Sequence, residues 1–225
     1  MTYHLDLLPR FELKDELTPE GRIYDTPVGR LPSVTTVLSK HFNTSDFIDE
    51  WRARIGAEKA DKITRDALAN GTELHGLMEK DLMNEDYRIN THSCAKMRYS
   101  AVRTKLRNVD AVFGVELPLY SGELRTAGRA DAVVKWDGRN TILDLKTASK
   151  YKKKEHVLNY FVQATTYGIM VKERYNLDIE RIVIVFSKSD DFECYCFNEP
   201  LGDYMDLAYQ IFQGRNVEVK DSELQ

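Results

Sequence analysis

Between Gly128 and Ala148 the chain reads GRADAVVKWDGRNTILDLKTA, and this stretch constrains the fold more tightly than any other. Two β-rich halves, Arg129 to Trp136 and Arg139 to Lys146, flank Asp137-Gly138, the dipeptide favoured in two-residue type I′ turns because both central positions need positive φ. Such a turn pairs Trp136 with Arg139 and Val133 with Ile142. Continuing the count sets Asp131 opposite Asp144, where facing side chains lie about 4.5 to 5.5 Å apart at Cβ. Lys146 follows on the face of Asp144 by period-two alternation. A four-residue turn would instead set Asp131 against Lys146, still on that face. The neighbours Ala130, Ala132, Val134, Leu143 and Leu145 imply a sheet covered on both sides. One reading makes Lys146 the partner in a structural ion pair. The stronger one notes that two half-buried acids and one lysine leave surplus negative charge, which calls for a bound cation.

The 225-residue chain suits one domain, 1–225. Residues 1–110 read as a mainly helical part, 111–200 as the sheet with its following helix, and 201–225 as a last helix and tail. Charged residues make up 30% and mean hydropathy is −0.47. The amino terminus lacks the apolar stretch of a signal peptide, and no run reaches the roughly 20 residues of a membrane span. A soluble, cytoplasmic protein is expected. A net charge of −4 excludes indiscriminate whole-surface binding to polyanions. Any polyanion must meet a local basic patch, and Lys146, Lys150, Lys152, Lys153 and Lys154, with Tyr151 among them, supply one beside the paired acids. A lysine run is ordinarily a solvated loop; this one is placed to hold a phosphate backbone. The three cysteines, Cys94, Cys194 and Cys196, lack C-x-x-C spacing and imply neither zinc nor an iron–sulfur cluster.

Upstream, DFIDEWRARIGAEKADKITRDALAN reads as a helix capped by Thr44 and Ser45, with apolar positions Phe47, Ile48, Trp51, Ile55 and Ile63. Gly71 is expected to separate it from a second helix, TELHGLMEKDL, with Leu74, Met78 and Leu82 facing the core and His75 and Glu79 beside them. Pattern alone ranks His75 as structural. SCAKMRYSAVRTKLRNV suggests a further helix, and AVFGVELPLY a strand in which Glu116 faces away from Val115 and Leu117. EHVLNYFVQATTYGIMVKERYN forms a long amphipathic helix with Tyr160, Gln163 and Tyr167 on one stripe. RIVIVFS and FECYCFN follow as strands, and DYMDLAYQIFQG as a last helix.

Taken in order, Gly128-Arg129-Ala130-Asp131, Asp144-Leu145-Lys146-Thr147 and Gln163-x-x-x-Tyr167 resemble the RecB-like branch of the PD-(D/E)XK nucleases, and His75 and Glu79 in GTELHGLMEK match that branch's upstream helical motif. GRIYDTPVGRLPSVTTVL and the helix bearing Trp51 are similar to mitochondrial genome maintenance exonucleases and small phage-type relatives. The resemblance implies an α/β restriction-endonuclease-like core, a mixed central β-sheet flanked by helices, with an N-terminal helical elaboration. It turns His75 into a metal ligand. Asp131, Asp144 and the Leu145 carbonyl would hold Mg²⁺, whose bound water attacks the phosphodiester. Lys146 would serve as base or as electrostatic clamp, both of which stay open. Glu116 is either a further metal-binding acid or an exposed strand glutamate. Gln163 and Tyr167 would position Lys146 or touch the phosphate backbone. Arg22, Tyr24, Arg30, Ser33, Thr35 and Thr36 would line a passage for a single strand, or else serve only as local caps.

The implied activity is a DNA exonuclease working from free single-stranded ends, threaded under a helical arch, with replication or recombination proteins as partners and the host cytoplasm as its location if the chain is of phage origin. A duplex-end resecting recombination exonuclease, a structure-specific endonuclease and a catalytically retired nucleic-acid-binding protein are the alternatives. A histidine ligand carries its own consequence, since imidazole suits transition ions better than Mg²⁺. Cleavage of end-labelled DNA should therefore proceed with Mg²⁺ or Mn²⁺ and not with Ca²⁺ alone. Strong Ca²⁺-supported turnover would contradict the assignment.

Overall fold

The computed structural model describes residues 1–89, 91–189 and 192–214, Ser45 without its side chain. The proposed Ser45 cap and the tail from 215 on lie outside the described residues. In chain order the elements are β1 (His4–Leu5), β2 (Lys14–Thr18), β3 (Gly21–Thr26), β4 (Gly29–Pro32), α1 (Val34–His41), α2 (Thr44–Ile55), α3 (Ala57–Leu82), α4 (Ser93–Lys105), β5 (Val109–Ser121), β6 (Thr126–Trp136), β7 (Arg139–Ala148), α5 (Leu158–Tyr175), β8 (Arg181–Lys188), β9 (Cys194–Pro200) and α6 (Met205–Phe212).

The hairpin forms with the register its turn dictates. Asp137 and Gly138 both have positive φ, 47° and 77°, and Trp136 pairs with Arg139 and Val133 with Ile142. Around it grows a mixed six-stranded sheet in the order β1-β5-β6-β7-β8-β9. The β5-β6-β7 meander is antiparallel, and β7 joins β8 in parallel through the α5 crossover. Central strands carry apolar residues on both sides because both faces are covered. On one face Val133, Ile142 and Ile184 pack with Phe161, Met170 and Val34 from α5 and α1. On the other, Val134, Leu143 and Val183 meet Leu74, Met78, Tyr99 and Val102 from α3 and α4. The fold is α/β and consistent with a restriction-endonuclease-like core. No described helix is long and apolar enough to cross a membrane.

Three expectations about the amino-terminal part are corrected. First, β2, β3 and β4 form a separate three-stranded antiparallel sheet there. It buries Leu13, Tyr24 and Leu31 against Tyr120 and Ala127. Second, the helical break falls at Gly56, not Gly71. Gly56 has φ 89° and ψ 142°, open only to glycine, whereas α3 runs unbroken through Gly71. Third, α2 begins behind Asn43 in left-handed conformation, with Thr44 already helical and no side-chain cap bond.

Of the apolar positions of α2 and early α3, only Trp51 and Ile55 are half-buried. Phe47, Ile48, Ile63 and Leu68 are exposed. α2 packs on α1 and on α3, with Ala60 buried and an Arg52–Asp61 ion pair of 2.6 Å joining α2 to α3. The result is an arm leading to the lower half of α3. By urea denaturation, Gly56→Ala should lower stability by roughly 1–3 kcal/mol. Gly71→Ala, in a regular helix, should raise it by about 0.5–1 kcal/mol. The reverse order of effects would contradict this helix boundary.

Candidate active site

The hairpin ladder stops at Ala132–Leu143, one residue short of the acids. There the Asp131 carboxylate accepts a hydrogen bond from the Leu145 backbone N–H at 2.8 Å. The face-to-face Asp131–Asp144 pair expected from the turn is therefore replaced by a fork, with the side chain of Asp131 occupying a ladder position. On its other side Asp131 has Glu116 as neighbour, bracketed by the pairs Val115–Ala132 and Leu117–Ala130. Glu116 adopts φ 45°, a left-handed conformation costing a non-glycine residue roughly 1–2 kcal/mol. Two register shifts precede it in β5.

Across the fork stands α3. Leu74 and Met78 anchor that helix in the core, and His75 between them turns to the strands. Its Nδ1 lies 3.4 Å from Asp131 Oδ2 and 4.0 Å from Glu116 Oε1. One ligand atom from each of His75, Glu116 and Asp131 falls within 4.8 Å of the others, and all three residues are half-buried. Burial, then the charge of Asp131, raises the pKa of Glu116.

Asp144 does not join that group. It is 1% exposed, and Lys146 Nζ lies 2.8 Å from each of its oxygens. Only the contact to Oδ1 has hydrogen-bond geometry. Gln163 Nε2 lies 3.5 Å from the same oxygen, so buried Oδ2 keeps no hydrogen-bond partner among the described residues. Burial pushes the Asp144 carboxyl up to about 6, with Lys146 opposing and Asp131 adding to the rise. For Lys146, burial pulls the pKa down, but Asp144 and Asp131 outweigh it and the net shift is upward. In this state Lys146 is a held ammonium. Its Nζ also sits 5.1 Å from the Tyr160 ring centroid.

Tyr167, one turn beyond Gln163, explains the motif glycine. A Cβ on Gly128 would lie 2.8 Å from Tyr167 Oη and 2.9 Å from Cε1. Burial, followed by the charges of Asp131 and Asp144, raises the Tyr167 phenol.

His75, Glu116 and Lys146 border a cleft of about 670 Å³, lined by α3 from Ala67 to Glu79 on one wall and by Glu116, Arg129, Leu145, Lys146 and Thr147 on the other. Arg10 and Arg129 lie in this lining and were not singled out from sequence. Arg129 is a position the glycine motif leaves unspecified; Arg10 sits in an irregular segment without a recognisable signal. Arg10 donates to the Val115 carbonyl at 3.0 Å, next to Glu116.

The remaining candidates divide. Lys150, Lys152 and Lys153 are exposed on the loop after β7, but Lys154 is tied to Glu199 at 2.7 Å. Tyr24 is 3% exposed in the small core, and Ser33 caps α1 by accepting from the Thr36 N–H, so neither side chain is free to meet a strand. Arg30 is paired with Glu16 and Asp25. Arg22, beside Asp15, senses the Tyr167 phenol, and Thr35 is exposed at the start of α1. All three cysteines are free thiols.

The donors suit a divalent cation. An imidazole and two carboxylates converge, and the buried Asp144, whose Oδ2 is ion-paired with Lys146 but accepts no hydrogen bond among the described residues, stands near them. A mixed sheet opening at a fork of acidic residues, with one held lysine, describes a site for metal-assisted hydrolysis. A profile of the PD-(D/E)XK nuclease superfamily matches residues 36–194, and the chain belongs to that superfamily. Its members are phosphodiester hydrolases acting on nucleic acids with divalent metals. None of the curated proteins compared matches the chain. Fourteen chains of solved structures do. One, titled "Crystal structure of SSO0001", has a TM-score of 0.37 at 15% identity, covering 84% of this chain and 88% of that one.

Because Tyr167 fills the space a side chain at 128 would need, Gly128→Ala should destabilise the protein by about 1–3 kcal/mol. The penalty should shrink in a Tyr167→Ala background, as expected of touching residues. Additive effects in thermal unfolding would show that the two do not touch.

Proposed function

We propose that the protein is a DNA exonuclease that removes nucleotides from free single-stranded ends, using Mg²⁺ with Mn²⁺ as substitute. The observation that carries this reading is the convergence of His75, Glu116 and Asp131 beside the Asp144–Lys146 pair, at a cleft that His75, Glu116 and Lys146 border. His75, Glu116 and Asp131 are the residues to hold the ion, joined by Asp144 and the Leu145 carbonyl. When bound, the ion supplies Lewis-acid chemistry and lowers the pKa of water.

The protein's own groups do the rest. Lys146, kept protonated by its two carboxylate neighbours, offers a positive charge to the phosphate as negative charge develops there. Asp144 and Tyr160 hold that ammonium in place, while Gln163 orients Asp144. Arg10 and Arg129 are positioned on the cleft walls to meet flanking phosphates. Lys150, Lys152 and Lys153, exposed on the loop after β7, offer further positive charge to a phosphate backbone.

Preference for unpaired strands is supported by the arm. Ala67 and Leu68 of α3 line the cleft, and Phe47, Ile48 and Ile63 stand exposed on the same pair of helices. Apolar side chains suit the faces of unstacked bases, which a duplex conceals. A strand threaded between arm and sheet, rather than laid into an open groove, would need an end.

End-labelled linear and circular single strands separate this reading from its rivals. Linear DNA should be degraded, circles spared and EDTA should stop the reaction. Circles cut as fast as linear strands would point to an endonuclease. Lys146→Ala should bind linear strands nearly as wild type yet lose about 10²- to 10³-fold in kcat. Retained turnover would remove Lys146 from the chemistry.

A further inference from the structure

Beyond β7 the chain presents Tyr151 to solvent, 62% exposed, with Lys150 before it and Lys152 and Lys153 after it. The ring is nevertheless held. It lies over Tyr195 with centroids 4.6 Å apart and a tilt of 38°. The backbone N–H of Lys152 donates to Tyr195 Oη at 2.9 Å, pinning the loop to β9. Tyr195 stacks on Phe186 at 5.0 Å and 6°, and Phe186 meets Tyr160 at 5.9 Å. Tyr160 in turn carries the Lys146 ammonium over its ring. A continuous series of aromatic side chains thus runs from Lys146 outward and ends in the open face of Tyr151.

The charges around that open face are unspent. Lys150 and Lys152 have no ion pair among the described residues, in contrast to Lys154 with Glu199. Lys153 has only a 3.9 Å approach to Glu155. A rigidly backed aromatic face flanked by free ammonium groups matches a nucleotide: the ring stacks on the base while the lysines meet its phosphates. A base inside a duplex has both faces covered by its neighbours, so only an unpaired one offers a face to Tyr151.

The geometry points to Tyr151 as a stacking platform for one unpaired base of the substrate strand, outside the cleft and kept in fixed relation to Lys146 by Tyr195, Phe186 and Tyr160. This rests on the single-strand nuclease reading above. It adds a contact to the base itself, one that tolerates any sequence because every base has a π-face.

Binding of a fluorescent single-stranded oligonucleotide, followed by anisotropy with Ca²⁺ replacing Mg²⁺ to keep the strand intact, tests it. Tyr151→Ala should weaken binding about 5- to 100-fold, and Tyr151→Phe by no more than about 2-fold. Blunt duplex of equal length should bind Tyr151→Ala as it binds wild type. In Tyr151→Trp, emission should be quenched by the oligonucleotide beyond any change in wild type. A single abasic position moved along the strand should find one place where wild type loses as much as Tyr151→Ala, and where the substitution has no further effect.

Tyr151→Ala binding as wild type while Lys150→Ala with Lys152→Ala weakens would overturn the platform and leave the nuclease reading standing. An equal loss for single strand and duplex, with no sensitive abasic position, would also overturn it. Failure of the wild type to bind or cut single strands in any metal would defeat both.

Discussion

Three carboxylates and one ammonium share the place where β5, β6 and β7 part, and that surplus of negative charge is the condition the rest of the molecule serves. Glu116, Asp131 and Asp144 come from three successive strands, and within the sheet Lys146 is the ammonium in direct contact with one of them. Burial makes the imbalance expensive: Asp144 is raised by loss of water, and Glu116 by burial together with Asp131. Placing like charges together in a half-buried fork opposes folding unless a cation relieves them. The left-handed backbone at Glu116 adds to that cost. Strain and repulsion at the same few residues are what a built cation site looks like before its ion is considered.

The surrounding packing holds this arrangement. Leu74 and Met78 fix the height of α3, so His75 reaches the acids. On the opposite face Phe161 and Val162 fix α5, so Gln163, Tyr160 and Tyr167 reach Asp144, Lys146 and Gly128. The two helices thus grip the fork from opposite sides of the sheet. The arm contributes little to the core and carries exposed apolar residues, as befits a surface kept for something other than folding.

What could be read from residues alone follows the range of the forces involved. The hairpin register was legible because Asp137-Gly138 favours the two-residue type I′ turn that forms, and the buried strands because covered sheets demand apolar runs. The register failed at Asp131, where a side chain replaced a backbone partner, an exchange no alternation rule contains. Glu116 was undecided for a similar reason, since its direction depends on a left-handed twist in a strand. The amino-terminal sheet escaped notice because its strands are short, charged and mostly exposed. The turn residues Pro19 to Gly21 and Pro27 to Gly29 were the available signal. Periodicity in α2 was real but faced solvent, which amphipathic patterning cannot distinguish from a core face. The charge state of Lys146 needed distances, because burial and carboxylates pull in opposite directions.

Whether a cation resolves the charge at the fork can be seen directly by anomalous diffraction from a crystal soaked in Mn²⁺. The account predicts a peak in contact with His75, Glu116 and Asp131, lost when Asp131 is replaced by Asn. No peak at saturating Mn²⁺, or one bound away from His75 and Asp131, would contradict it.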